Sequence, residues 1–319
     1  MSAPRVRVAL FGTNGHQIHA AMDYHPDAEL VAVADVPDEA LPESARGFCT
    51  RVETLDELIA MDNVDLIVLC SPVRGDQHEH AIACLMAGKH VYAEKPSALH
   101  EVDLDRIIEA ATSAGRVYRE MAGTAFEQPF LEMRNRIAGG LIGEVRQVVA
   151  QKSYPLRYPD RERPRGEIVD GGIVRQVGVH AARFIEHVAG RRIVDIRADA
   201  TEVNGLALAA SMTMTLDNGG CATIALNYLN PPAFPLWGNE MLRVFGDEGF
   251  CEITDGGQRT RVVLRDTDLG PLTPSAPSLA YHDLLFRHIR FGEPMPLTLD
   301  EELHPTRVVI RAAAQLAGR

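Results

Sequence analysis

The feature that most constrains the fold is an alternation, from residue 6 to about 121, of short apolar runs with stretches of helical periodicity. The apolar runs are rich in Val, Ile and Leu, and they occupy residues 6–11, 29–36, 64–72, 90–96 and 116–121. Parallel strands need crossover connections and are covered on both faces, which produces this pattern. The region is therefore predicted to form a doubly wound α/β domain.

The pattern changes after about residue 122. A helix is expected near 127–138, then a strand near 144–152, a further helix and hairpins. Two alternating apolar runs flank the turn sequence "DNGG" at 217–220, which is a hairpin signal, and "LRVFGDEGFCEI" indicates a second hairpin. We therefore predict two domains, 1–121 and 122–319, with an antiparallel sheet in the second.

Composition narrows the class of partner. The chain has 319 residues, 46% of them hydrophobic, and a formal net charge of −12. This charge argues against nucleic acid or an anionic membrane surface, which both favour clustered Lys and Arg. The longest strongly apolar run, 64–70, is far shorter than the roughly 20 residues of a membrane span.

Cysteine usage and the first residues indicate the compartment. The five cysteines are odd in number, widely spaced and without a C-x-x-C motif, as expected for reduced thiols. The chain passes into its first strand without the long apolar core of a secretory signal. A cytoplasmic location is therefore expected.

The first strand ends in "GTNGHQ", an altered G-x-G-x-x-G dinucleotide fingerprint in which Asn14 and Gln17 replace two glycines. Gly12 and Gly15 still allow a tight turn, and the backbone amides of a following helix N-terminus would face a pyrophosphate. We expect residues 12–15 to form a cofactor loop.

Asp35 supports the same interpretation. It ends the second predicted strand at about the 20-residue offset of the acid that binds the ribose hydroxyls. A carboxylate there repels a 2′-phosphate, and no Arg or Lys follows before Arg46. NAD is therefore favoured over NADP as the cofactor. In the alternative interpretation, Asp35 only caps the next turn.

Five further segments, spread over nearly the whole chain, form a recognisable set. They are "VDLIVLCSP", "AIACLMAGKHVYAEKP", "IAGGLIGEV", "DGGIVRQVGVH" and "NEMLRVFGDEG". Together they resemble the glucose–fructose oxidoreductase/inositol dehydrogenase/rhizopine-catabolism (Gfo/Idh/MocA) family. The resemblance implies a Rossmann domain followed by an α/β domain whose large, open, mostly antiparallel sheet forms homo-oligomers. It also implies NAD(P)-dependent redox chemistry on a sugar, cyclitol or related polyol.

The segment "AGKHVYAEKP" ends a buried strand on Lys95, which Pro96 holds extended. In doubly wound sheets ligands bind outside the carboxyl ends of the strands, so the ammonium is expected to reach the reacting hydroxyl and act as an acid or base. A solvated surface lysine is the alternative. The resemblance places Lys95 beside the nicotinamide and Glu94 at the ribose. The expected cofactor-binding set is Gly12, Thr13, Asn14, Gly15, Asp35, Ser71, Pro72, Gln77, Glu94, Lys95 and Pro96.

A second group of polar residues lies on the helix predicted for "GGIVRQVGVHAARFIEHVAG". At 100° per residue, Gln176, His180, Arg183 and His187 fall within about 60° of one another, opposite an apolar face. An ordinary amphipathic helix with a solvated stripe fits this pattern too. The resemblance makes His180 the acid or base and puts Gln176 where the family has an aspartate. A neutral amide there is expected to read a different hydroxyl pattern or a more oxidised or anionic substrate.

The loop "YPLRYPDRERPRGE" clusters arginines among prolines, and such loops often carry specificity. The expected substrate-binding set is Gln176, Tyr154, Arg157 and Arg183, with Lys95 and His180 as catalytic residues. A solvated loop would explain the arginines equally well. His78 and His80 diverge on a helix, so we expect no metal site.

Three functions are consistent with these features. The first is an NAD-dependent oxidoreductase that removes hydride from a ring carbinol while His180 or Lys95 accepts the hydroxyl proton. The second is glycoside cleavage, or other sugar chemistry without net redox change, with tightly held NAD. The third is a cofactor-sensing binding protein without catalysis.

Overall fold

The computed structural model describes residues 4–121, 123–158, 161–162, 166–203 and 206–318, with only the backbone at 157, 158, 161 and 162. The chain divides into two compact units, Met1–Met121 with Ala280–Leu303 and Ala122–Leu279 with His304–Arg319. Residues 280–303, assigned above to the second domain, group with the first unit. The division into two domains stays a prediction, because compactness does not show that either unit folds alone.

The first unit is built on a six-stranded parallel sheet. Its strands are β1 (Val6–Phe11), β2 (Ala28–Ala34), β3 (Thr50–Arg51), β4 (Leu66–Leu69), β5 (His90–Ala93) and β6 (Tyr118–Glu120). Their order is β3-β2-β1-β4-β5-β6, with parallel pairing throughout. The central strands are almost fully buried, as expected for a sheet covered on both faces. The predicted doubly wound sheet is confirmed.

Three helices of the first unit lie between these strands: α1 (Leu55–Ala60), α2 (Gln77–Met86) and α3 (Glu101–Ala114). Helix α1 begins with a capping box, in which the Thr54 side chain accepts from the Glu57 backbone and the Glu57 carboxylate accepts from the Thr54 backbone. Helix α3 ends at Gly115 in the left-handed conformation, a common stop signal.

The helix expected after the glycine turn does not form. Between β1 and β2, all of whose connection the structure describes, the only helical element is the 3₁₀ turn Ala20–Met22. Instead, the Gln17 side chain donates to the Thr13 carbonyl and pairs with His19. Side-chain bonds of this kind compete with helical ones, and the approaching Pro26 leaves little length for a helix. The expectation of a helix N-terminus at this turn was wrong.

The second unit contains an eight-stranded, mostly antiparallel sheet. Its order is β10-β11-β12-β7-β13-β14-β15-β16, and only β12 and β7 pair in parallel. The strands are β7 (Val145–Ser153), β10 (Ile193–Val203), β11 (Leu206–Leu216), β12 (Cys221–Asn227), β13 (Met241–Gly246), β14 (Gly249–Thr254), β15 (Arg259–Leu264) and β16 (Thr267–Gly270). Both predicted hairpins, β11–β12 and β13–β14, are confirmed. A separate two-stranded sheet joins β8 (Arg157–Tyr158) to β9 (Arg161–Glu162).

The helices of this unit include α4 (Phe130–Ala138), α5 (Glu167–Asp170) and α6 (Gly178–Arg183). Helix α6 is flanked on both sides by π-helical segments, Ile173–Val177 and Phe184–Val188. In the described part of the chain, α7 (Tyr281–Phe291) belongs to the first unit, and α8 (Leu299–Ala317) passes from the first unit into the second.

Gly178 lets α6 approach the sheet closely. A Cβ atom at this position would lie 3.1 Å from side-chain atoms of both Met212 and Leu226, in adjacent strands, and 3.4 Å from Val309 of α8. Because the residue lies between Gln176 and His180, this tight contact fixes the stretch of helix that carries both polar side chains.

Candidate active site

The glycine turn lies against the ends of the neighbouring strands. Gly12 has a φ of +72°, and a Cβ atom there would collide with the Cys70 carbonyl. Gly15 has a φ of +135°, and a Cβ atom there would lie 2.5 Å from Cγ of Glu94. Both positions therefore require glycine, and the turn touches the carboxylate that follows β5.

Hydrogen bonds hold the turn in place where a helix is missing. Asn14 donates from Nδ2 to the Pro72 carbonyl at 2.9 Å and from its backbone N to the Cys70 carbonyl at 3.1 Å. Arg74, only 1% exposed, donates to the carbonyl of Asn14 and to the side chain of Gln77. Gln77 in turn donates to the carbonyls of Glu94 and Pro96. The structure thus brings together residues that the sequence analysis assigned separately to the cofactor.

Glu94 is the electrostatic centre of this region and is 1% exposed. Its carboxylate contacts Nδ1 of His16 at 3.0 and 3.1 Å, and Oε1 lies 3.7 Å from Nζ of Lys95. Burial alone raises the pKa of the Glu94 carboxyl, but His16, Lys95 and Arg74 outweigh burial and lower that pKa to about 2. Glu94 is therefore a permanent anion beside the cations Lys95 and Arg74.

Lys95 is 2% exposed, so the alternative of a solvated surface lysine was wrong. It is the second residue beyond the end of β5, at the carboxyl edge of the parallel sheet. The neighbouring carboxylate holds the ammonium group near this edge, where doubly wound folds bind their ligands.

A cavity of about 780 Å³ opens at the same edge of the sheet. Thr13 and Asp35 line it, and so does Arg51, which the sequence analysis did not identify. His80 also lines the cavity, and its Nδ1 lies 2.9 Å from Oγ of Ser71. Burial lowers the pKa of His80, so this imidazole is a neutral partner for the serine.

These residues fit a dinucleotide. The turn at Gly12 and Gly15 packs too closely against the Cys70 carbonyl and Glu94 to hold side chains, and Asp35 stands at the end of β2 beside a cavity. Thr13 lines this cavity, and Asn14 is buried with its amide bonded to the Pro72 carbonyl. The residues that would hold the cofactor are thus contributed by the ends of β1, β2, β4 and β5.

In the second unit, the polar residues of the helical stretch 173–188 are buried. Gln176, His180, Arg183 and His187 are each at most 5% exposed. The alternative of a solvated stripe was therefore wrong. The 100° spacing assumed for the whole stretch was also wrong, because π-helical turns contain an extra residue.

Tyr228, which is fully buried just beyond β12, donates from its hydroxyl to Oε1 of Gln176 at 3.1 Å. The spacing of residues along the chain does not reveal this contact, because only the folded sheet brings Tyr228 near the helix. The bond orients the amide of Gln176.

Tyr154 lies at the end of β7 and is 6% exposed. Its ring centroid is 5.3 Å from that of Trp237, and Nζ of Lys152 lies 5.0 Å from the Tyr154 centroid while pairing with Glu240. The charge of Lys152 is thus balanced by Glu240, and Trp237 leaves the aromatic pair partly exposed. For Arg157 only the backbone is described, in β8, so its predicted substrate contact lies outside the described side chains.

The sheet, the glycine turn and the acid after the second strand define the class as a dinucleotide-binding protein. Residues 6–121 match the NAD-binding Rossmann fold of the Gfo/Idh/MocA oxidoreductases, and residues 130–252 match that family's C-terminal domain. The chain therefore belongs to the Gfo/Idh/MocA family, and its cofactor is NAD(P).

Relatives and solved structures agree with this assignment. Myo-inositol 2-dehydrogenase of Thermotoga maritima is 27% identical over 75% of this chain and 72% of its own length. The dTDP-3,4-didehydro-2,6-dideoxy-alpha-D-glucose 3-reductase of Streptomyces violaceoruber is 30% identical over 62% of this chain and 56% of its own. The fold of the aldose-aldose oxidoreductase from Caulobacter crescentus superposes with a TM-score of 0.79 at 21% identity, covering 99% of both chains.

Among the described residues, no group of three or more His, Cys, Asp or Glu side chains is arranged to hold a metal ion. No helix in that part of the chain is long and apolar enough to cross a bilayer.

Replacing Glu94 by Gln is expected to lower the free energy of unfolding at pH 7 by about 3 kcal/mol, because buried cations lose their anion. The folded-state pKa of Glu94 lies below its ordinary value of 4.5, so the carboxylate stabilises the fold fully above pH 4.5. This contribution is lost as the pH falls from 4.5 through about 2.

Urea denaturation at several pH values measures this effect. The difference between wild type and Glu94→Gln should shrink steadily below pH 4.5. Glu109→Gln, which removes an exposed carboxylate from α3, should change the free energy by less than about 0.5 kcal/mol at any pH. A pH-independent difference for Glu94→Gln would contradict the assignment.

Proposed function

We propose that the chain transfers a hydride between nicotinamide and a ring carbinol or ketone of a sugar, cyclitol or related polyol. The observation that carries the proposal is Lys95, buried at the carboxyl edge of the parallel sheet and paired with an ionised Glu94. When bound, the nicotinamide supplies or accepts the hydride. The proposal includes homo-oligomers formed through the eight-stranded sheet and a cytoplasmic location, supported by the family resemblance and by composition respectively.

The chain's own residues handle the proton. An ammonium group beside a carboxylate can hydrogen-bond the reacting oxygen and exchange a proton with it. In productive complexes, general acids and bases lie about 2.6–3.2 Å from the atom with which they exchange the proton. Glu94 keeps its charge because of His16, Lys95 and Arg74, and its carboxylate holds the lysine at the sheet edge. We assign proton transfer to Lys95 and His180.

Gln176 supports a substrate preference that differs from that of family members with an aspartate at this position. Its amide is neutral, and the hydroxyl of Tyr228 occupies Oε1 as a donor. An aspartate would instead offer a charged acceptor to a substrate hydroxyl and favour a protonated imidazole at His180, four residues along the chain. The aromatic pair of Tyr154 and Trp237 is consistent with a ring-shaped substrate.

The direct test incubates the purified chain with NAD⁺ and a panel of cyclitols, aldoses and their acids, beginning with myo-inositol. Net formation of NADH with at least one ring carbinol is expected. Retained cofactor with substrate cleavage but no net NADH would point to redox-assisted glycoside cleavage. No turnover of any kind across the panel, in either direction, would count against the proposal.

Lys95→Ala should reduce kcat on the best panel substrate by about 100-fold or more, the usual scale for a positioned proton-transfer group. NADH binding should be retained, since His16 and Arg74 still face Glu94. Lys95→Arg keeps the charge but cannot release a proton at working pH, so it should be similarly impaired. A near-normal kcat in either variant would show that Lys95 does not transfer the proton.

Gln176→Asp should move the histidine limb of the pH–rate profile to higher pH, because a carboxylate beside His180 favours the imidazolium form. The same change should alter the ranking of panel substrates. Gln176→Asn keeps a neutral amide and should leave that limb in place, and His180→Ala should abolish turnover. If the pH–rate profile and substrate ranking of Gln176→Asp were identical to those of wild type, residue 176 would have no role in either proton transfer or substrate selection.

A further inference from the structure

The cavity at the carboxyl edge of the parallel sheet is lined by a cation, Arg51, that is distant from Asp35 in the sequence. Arg51 is the second residue of the two-residue strand β3, and it pairs in register with Val33 of β2. Two residues beyond Val33 stands Asp35, so Arg51 and Asp35 line the same cavity although they are well separated in sequence. The acid that recognises a ribose therefore has an arginine as its neighbour across the strands.

The guanidinium group of Arg51 is held by the turn that follows β2. Nη1 donates to the Val36 carbonyl at 2.5 Å, and Nη2 forms an ion pair with the carboxylate of Asp38. The Arg51 side chain is 43% exposed and that of Asp38 is 78% exposed. Ion pairs this exposed are weak and break readily, so the arginine can change its partner.

The charges of the cavity determine what such an arginine can do. Asp35, Glu53 and Asp56 also line the cavity and make it acidic. A guanidinium group matches a phosphate monoester in charge and geometry, and an arginine near this position accommodates the 2′-phosphate of NADP in Rossmann folds. While Asp38 occupies the guanidinium group, a 2′-phosphate would have to displace a carboxylate and approach three others.

We propose that Arg51 is the binding group for a ribose 2′-phosphate in this cavity and that Asp38, by pairing with it, sets how strongly the chain prefers NAD(H) over NADP(H). This inference rests on the proposed cofactor site. Asp35, through the ribose hydroxyls, makes the chain prefer NAD(H) over NADP(H). The Arg51–Asp38 pair adjusts the magnitude of this preference.

The test measures cofactor binding without substrate, by calorimetric titration of the full chain with NADH and with NADPH. Wild type should bind NADH more tightly. Asp38→Asn should tighten NADPH binding about 10-fold, because the guanidinium group is released, and change NADH binding less than about 2-fold. Glu39→Gln makes the same change in net charge at the adjacent residue and should move neither affinity by more than about 2-fold.

The dependence on Arg51 separates a specific contact from a general charge effect. In an Arg51→Gln background, Asp38→Asn should no longer tighten NADPH binding, while NADH binding stays close to wild type. The inference is overturned if the gain persists without Arg51, if Glu39→Gln reproduces it, or if Asp38→Asn produces none. Wild type that binds neither dinucleotide would overturn the cofactor site itself, an outcome that NADH binding distinguishes from failure of the arginine assignment alone.

Discussion

A buried carboxylate needs cations and hydrogen-bond donors around it, and the Rossmann-type unit is organised by this need at Glu94. His16 and Lys95 contact the carboxylate, and the guanidinium group of Arg74 adds to the field. Gly15 must lack a side chain because its backbone lies against the same carboxylate. One ionised group thus links the glycine turn to the strand end that carries the proposed catalytic lysine.

This linkage explains how the turn is held without a helix behind it. In most dinucleotide folds the helix N-terminus both positions the turn and supplies its electrostatic field. Here Arg74, Asn14 and Gln77 supply hydrogen bonds to the surrounding carbonyls. Side chains replace helical backbone as the support, so the altered fingerprint is compatible with an ordered turn.

The sequence predicts those parts of the fold that depend on local pattern. Continuous apolar runs identified the parallel sheet, and turn residues at 217–220 located a hairpin of the second sheet. The missing helix was not predictable from the fingerprint, because the competing bonds of Gln17 depend on the turn geometry. Arg51 and Tyr228 were missed for a related reason. Each reaches its partners across neighbouring strands or onto a helix, and spacing along the chain does not encode such contacts.

The two π-helical segments around α6 have a consequence for how the helix can change in length. Each segment holds one residue more per turn than α-helix, as if a residue had been inserted. Deleting one residue from the first segment would restore α-helical geometry there, and the turn would cover nearly the same angle with one residue fewer. The residues before and after the segment would therefore keep their orientation. Removing Val177 would place Gln176 three residues before His180 instead of four and so change the angle between these two side chains. Length variation within this segment is therefore a route by which the polar pair could be re-oriented while the rest of the helix keeps its packing.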